Sequence, residues 1–85
     1  MNHTMLAAVL DGQVVVLDTK NAHVLLMDAR TEQVWRSCRG LTGEEIAAQL
    51  GHAPSFVKST LRGLVAVGLV TCDHNRWTQT DVAWI

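Results

Sequence analysis

QVVVLDTKNAHVLLM, residues 13–27, is the stretch that decides the fold. Gln13–Leu17 carries the β-branched run Val14-Val15-Val16, and His23–Met27 is a second apolar run of strand length. Between them, Asp18–Ala22 is polar and rich in turn formers. Ahead of them, Met5–Leu10 is apolar and ends at Asp11-Gly12, a dipeptide that favours a two-residue hairpin turn. The stretch predicts three short strands in an antiparallel meander, with the first and third strands at its edges.

Downstream the hydrophobic period changes. Asp28 is a good N-cap, and Ala29–Arg39 has helical character with Val34 and Trp35 facing inward and Cys38 one turn later. Gly40 reads as the stop of that helix. Thr42-Gly43-Glu44-Glu45 is a capping box that opens a second helix, with Ile46, Ala47 and Leu50 as its inner stripe and Gly51 at its end. Pro54 suits the first turn of a third helix, in which Phe56, Val57, Leu61, Leu64 and Val65 recur at three- and four-residue steps. Gly63 inside that helix costs up to about 1 kcal/mol relative to Ala, and marks either a close backbone approach or a position without a role. Gly68 closes the helix, Leu69–Thr71 and Arg76–Thr78 read as strands about the turn Asp73-His74-Asn75, and together they predict a small wing. Thr80–Ile85 reads as a loose tail, with Trp84 and Ile85 available to dock.

The expectation is an α+β chain: a three-stranded antiparallel sheet followed by a three-helix bundle, a winged helix-turn-helix derivative. It forms one domain over residues 1–85, with a core at about 5–72 and a tail at 73–85. No repeat, linker or low-complexity tract interrupts it.

Composition narrows the function. An apolar fraction of 48% belongs to a folded chain rather than a disordered one. Seven Lys and Arg against eight Asp and Glu give a net charge of −1, a poor start for phosphate neutralisation. Cys38 and Cys72 form no CxxC, and His3, His23, His52 and His74 show no ligand spacing, so no metal or cofactor is expected. The two cysteines read as reduced thiols of a cytoplasmic protein. Met1–Leu10 lacks a basic n-region and a long apolar core, so neither a signal peptide nor a membrane span is expected. No Ser-His-Asp set, phosphate loop or paired-carboxylate motif points to catalysis.

Two binding surfaces compete. The exposed face of the third helix would carry Ser55, Lys58, Ser59 and Arg62, and with Arg76 in the wing it could enter a DNA major groove as a winged-helix transcriptional regulator does. This is a thin electrostatic footprint. The third strand, His23–Met27, has no Lys, Pro or Gly to blunt an edge. Alternation places His23, Leu25 and Met27 on one face and Val24 and Leu26 on the other. An extended peptide could add to that strand, if the edge is not already covered by the tail or by dimerisation.

The run Val15-Val16-Leu17-Asp18-Thr19, then Val24-Leu25-Leu26-Met27-Asp28, then Val34-Trp35-Arg36, followed by the helix-turn-helix and Gly68-Leu69-Val70, resembles the PqqD-like family. These are the recognition elements that bind leader peptides of ribosomally made, post-translationally modified peptides. The pattern looks most like the discrete proteins of lasso-peptide pathways and covers roughly Gly12–Val70. The resemblance implies a non-catalytic protein. Its leader peptide would add antiparallel to the third strand, pack against the third helix, and be presented to a leader peptidase or other modifying enzyme, with a cyclase downstream. Carried over by position, the strand wall is His23, Val24, Leu25, Leu26 and Met27, and the helix wall is Val57, Lys58, Leu61, Arg62 and Val65. Lys58 and Arg62 would face acidic leader residues or the peptide backbone, and Leu25, Met27, Leu61 and Val65 would line pockets. The chain departs from the family in having His23-Val24 where an aromatic residue is common, and Asp28-Ala29 where Asn-Pro is common.

Overall fold

In the computed structural model, which describes residues 5–85, the elements run β1 (Met5–Leu10), β2 (Gln13–Asp18), β3 (His23–Met27), α1 (Ala29–Arg36), β4 (Arg39–Thr42), α2 (Gly43–Leu50), α3 (Pro54–Ala66), β5 (Val70–Asp73), β6 (Arg76–Gln79) and β7 (Ala83–Trp84). Met1–Thr4, which include His3, lie outside the described residues. The chain is α+β and, among the described residues, has one mixed sheet, one antiparallel sheet and three helices. Its packing separates into two compact units: the chain through Glu32 together with Asp81–Ile85, and Gln33–Thr80. The division falls within α1.

The first unit is built on the meander. Asp11 and Gly12 both take positive φ, 52° and 77°, as a type I′ hairpin turn requires. β1 and β2 pair from Met5↔Asp18 to Leu10↔Gln13, and β2 and β3 pair from Val14↔Met27 to Asp18↔His23. Asp18 holds the second turn. Its carboxylate accepts from the Lys20 N–H at 3.1 Å, the Asn21 N–H at 3.2 Å and Asn21 Nδ2 at 2.8 Å. One face of the sheet buries Met5, Ala7, Val14, Val16 and Met27. The tail is not loose. β7 pairs parallel to β1 through Leu6↔Ala83 and Ala7↔Trp84, and the Ile85 N–H donates to the Ala7 carbonyl at 2.8 Å. The sheet therefore has four strands in the order β3-β2-β1-β7, not three, and β1 is interior rather than an edge.

The second unit holds α2, α3 and the sheet of β4, β6 and β5. Thr42 and Glu45 form the reciprocal capping box: the Glu45 N–H donates to Thr42 Oγ1 at 3.2 Å, and the Thr42 N–H to Glu45 Oε1 at 2.9 Å. Gly51 ends α2 with φ 71°, and Pro54 opens α3. Ile46, Ala47, Val57, Leu61 and Leu64 are buried. Trp35 is wholly buried, and its indole Nε1–H donates to the Leu69 carbonyl at 3.0 Å. His74 and Asn75, with φ 52° and 63°, turn β5 into β6.

Two expectations for this unit are corrected. α1 stops at Arg36, three residues before the expected Arg39. The Cys38 N–H turns back to the Trp35 carbonyl at 3.1 Å, and Gln79 Nε2 donates to the same oxygen at 2.9 Å. A partner 44 residues away thus adds a second bond to a carbonyl at the end of α1. Arg39–Thr42 then forms β4 beside β6, giving the sheet order β4-β6-β5. Gly40, at φ 81°, sits at a register shift in that strand rather than at a helix stop.

Gly63 is exposed, and a Cβ built on it meets nothing within 4 Å. No close approach requires it. Gly63→Ala is expected to stabilise the protein by about 0.5–1 kcal/mol, read as a higher Tm in thermal circular dichroism.

Candidate functional site

β3 is the open edge of the four-stranded sheet: among the described residues, β2 pairs one side of it and nothing pairs the other. Which backbone groups face outward follows from the first hairpin. In a two-residue hairpin the closing pair, here Leu10–Gln13, exchanges both ladder bonds. Bonded and non-bonded pairs then alternate along an antiparallel ladder. On β2, Gln13, Val15 and Leu17 bond toward β1, so Val14, Val16 and Asp18 bond toward β3. Their partners Met27, Leu25 and His23 turn their backbone inward. Val24 and Leu26 are left with N–H and C=O directed away from the sheet, two donors and two acceptors on an unblunted edge.

The side chains alternate as expected. Met27 is buried, Leu25 half-buried and His23 exposed on one face. Val24 and Leu26 lie on the other face and are 63% and 65% exposed. The cross-strand register sets Val24 beside Leu17 and Leu6, and Leu26 beside Val15 and Ala8. This apolar outer face was not legible in the sequence as a surface. The burial pattern alone distinguishes it from the covered face, since both are built from similar residues.

Asp18 accepts hydrogen bonds from the turn that leads into β3. Hydrogen bonding from Asn21, with the loop amides of Asn21 and Lys20, holds its carboxyl below the usual carboxylate range, against an opposing effect of burial. A carboxyl with a lowered folded pKa contributes stability that is present above its unfolded value. That contribution is lost as pH falls through the folded pKa. Asp28, Glu44 and Glu45 are lowered too, chiefly by backbone hydrogen bonds, so the whole chain is expected to lose stability as pH drops below about 4. Asp18→Ala is expected to lower the Tm at neutral pH and to make the acid limb of a Tm-against-pH curve shallower. An unchanged acid limb would show that Asp18 does not hold the turn.

The residues expected from the third helix lie in the second unit and divide by face. Val57 and Leu61 are both 0% exposed and belong to its core, so as placed they offer no surface to a ligand. A helix presents residues four apart on the same side, and these two fall on the side that packs. Lys58, Arg62 and Val65 follow one another on the exposed side. Lys58 Nζ lies 3.5 Å from Glu44 Oε1, and Arg76 Nη1 lies 3.6 Å from Glu45 Oε1 and donates to the Gly40 carbonyl at 2.9 Å. Two of the cations that a DNA interface would use therefore face carboxylates on α2, which would repel phosphate.

Cys38 is buried, donates to the Val34 carbonyl at 3.3 Å, and has its thiol pushed up to about 11 by desolvation; Cys72 is exposed. Among the described residues, no group of three His, Cys, Asp or Glu is placed to hold a metal ion. Among them, too, no helix is long and apolar enough to cross a membrane. Compared with family models, characterised proteins and solved structures, the chain gives no match.

Proposed function

We propose that this protein captures the leader segment of a ribosomally made precursor peptide as an added antiparallel strand on β3 and presents it to a processing enzyme. The observation that carries this reading is the open edge at Val24 and Leu26. Strand addition needs unpaired backbone donors and acceptors in alternate positions, with apolar side chains nearby to anchor the peptide. β3 supplies both and carries no Lys, Pro or bulge to block pairing. The PqqD-like sequence pattern supports the same strand. In this reading α2, α3 and the β5–β6 wing form a winged helix-turn-helix derivative that serves as scaffold, and Lys58, Arg62 and Val65 are the α3 residues open to a ligand.

The role is non-catalytic and cytoplasmic. A leader peptidase, with a cyclase after it in a lasso-type pathway, would act on the held precursor. Tethering raises the effective concentration of the attached core, so the gain needs no new catalytic group. The interface is small, roughly 1,200 Å² or less in total, and its affinity is roughly micromolar or tighter.

The test is fluorescence anisotropy with labelled leader segments from short precursor reading frames beside this gene, run alongside duplex DNA. Saturable peptide binding that weakens only mildly with salt is the expected result. Absence of peptide binding, or DNA binding with a steep log–log salt dependence, would overturn the reading.

A further inference from the structure

We propose that the β3 edge is self-complementary and that, without a peptide, two copies of the chain close it against each other as a two-fold dimer. The phase of the ladder carries this. Only Val24 and Leu26 turn their backbone outward, and they are two residues apart. In an antiparallel pairing that sets Leu25 opposite Leu25 of a second copy, Val24 falls opposite the second copy's Leu26, and Leu26 opposite its Val24. Every outward N–H and C=O on the two strands then finds a partner. Moving the strands by two residues leaves one outward residue of each copy opposite Ala22 in the β2–β3 turn or, in the other direction, opposite Asp28 just ahead of α1.

The side chains agree with that register. His23, the one titratable residue on β3, faces Met27 of the second copy, so no like charges meet. Val24 and Leu26 of the two copies meet on one face. The rows Leu6–Leu17–Val24 and Ala8–Val15–Leu26 then run on into the rows of the partner as one apolar surface. The symmetry also limits growth. A two-fold pairing uses the β3 edge of both copies, and the opposite edge of the sheet is β7, only two residues long, so assembly closes at two copies instead of propagating into a fibre. Five-residue strands bury little area, which makes the dimer weak, with a Kd on the order of 10–100 μM.

The dimer stands apart from the leader-binding reading, since it requires only this chain. One consequence does rest on that reading: a captured peptide and a second copy use the same four backbone groups, so each excludes the other. The dimer would then be a reversible cover over an apolar edge.

The test begins with sedimentation equilibrium of the protein alone, where the apparent mass is expected to rise toward twofold as concentration passes through the Kd. Leu26→Lys is expected to remain monomeric throughout, because charge on an edge strand opposes pairing. Register is read by mild oxidation in a Cys72→Ser background, the buried Cys38 thiol being protected by its raised pKa. Opposed non-bonded residues lie about 4.5 Å apart at Cα, within disulfide reach, so Leu25→Cys is expected to cross-link. Val24→Cys is not, because its counterpart is offset by two residues. A synthetic peptide of residues 20–30 of this chain should convert dimer to monomer by capping the same edge. A protein monomeric at every concentration would overturn the proposal. So would a dimer that survives Leu26→Lys, is indifferent to the peptide, or cross-links through Val24→Cys in preference to Leu25→Cys. Failure of leader binding with the dimer intact would remove the leader reading and leave this one standing.

Discussion

Leu26→Pro is expected to weaken peptide capture by about tenfold or more while leaving the fold in place. Proline removes the N–H of Leu26, which points away from the sheet. Loss of one backbone hydrogen bond costs about 0.5–1.5 kcal/mol, and the ring adds a steric block to the incoming strand. The β2–β3 ladder loses nothing, because proline on an edge is tolerated where its N–H would face outward. Leu25→Pro is the control. Its N–H is directed at Val16 on β2, so the same substitution one residue earlier strikes the native sheet. Anisotropy with the labelled peptide and thermal circular dichroism separate the two effects. Position 26 should lose binding and keep its Tm, and position 25 should lose both. Equal affinities for Leu26→Pro and the parent protein would remove strand addition to β3 from consideration.

Trp35→Ala is expected to destabilise the chain by about 3–5 kcal/mol, the largest single loss among these substitutions. Trp35 is wholly buried on α1, and truncating a buried large aromatic typically costs about 3–5 kcal/mol. At about 0.05–0.15 kcal/mol per residue, a chain of 85 residues holds about 4–13 kcal/mol in all, so that loss is a large fraction of the total. Trp35→Phe separates packing from hydrogen bonding. It keeps most of the ring and loses the bond to the Leu69 carbonyl, which retains the Thr80 N–H at 2.9 Å. Its expected cost is about 1–2 kcal/mol. Urea unfolding followed by far-ultraviolet circular dichroism gives both values, since three tryptophans would confuse a fluorescence signal. A parent-like midpoint for Trp35→Ala would mean that the indole is not central to the core.

Several features of the candidate site were legible before the fold. The Asp11-Gly12 turn, the Val14–Val16 run and the apolar strand His23–Met27 place β3 beside β2 with the expected alternation of faces. The capping box at Thr42 and Glu45, and Pro54 at the start of α3, also stand where local chemistry puts them. The helix residues were less legible. Val57, Leu61 and Val65 share one apolar pattern, and periodicity cannot separate a side that packs from a side that is half open. Val57 and Leu61 are core, while Val65 is exposed.

Local rules were thus sufficient wherever one residue or a short run satisfies its own backbone: type I′ turns through positive φ, helix starts through side-chain caps, strands through β-branched alternation. They failed wherever the partner is distant in the chain. Gln79 completes the end of α1 from 44 residues away, β6 draws Arg39–Thr42 into a strand, and β1 captures Ala83–Trp84. Each of these adds backbone hydrogen bonds from a partner distant in the chain, and no pattern within a short window encodes them. The functional edge belongs partly to both classes. The sequence alone determined that β3 is an apolar strand with nothing to blunt it. Only the tertiary structure decided that a two-residue β7 pairs β1, so that among the described residues β3 is the long edge of its sheet, and that Val24 and Leu26 are the β3 residues that turn their backbone groups outward.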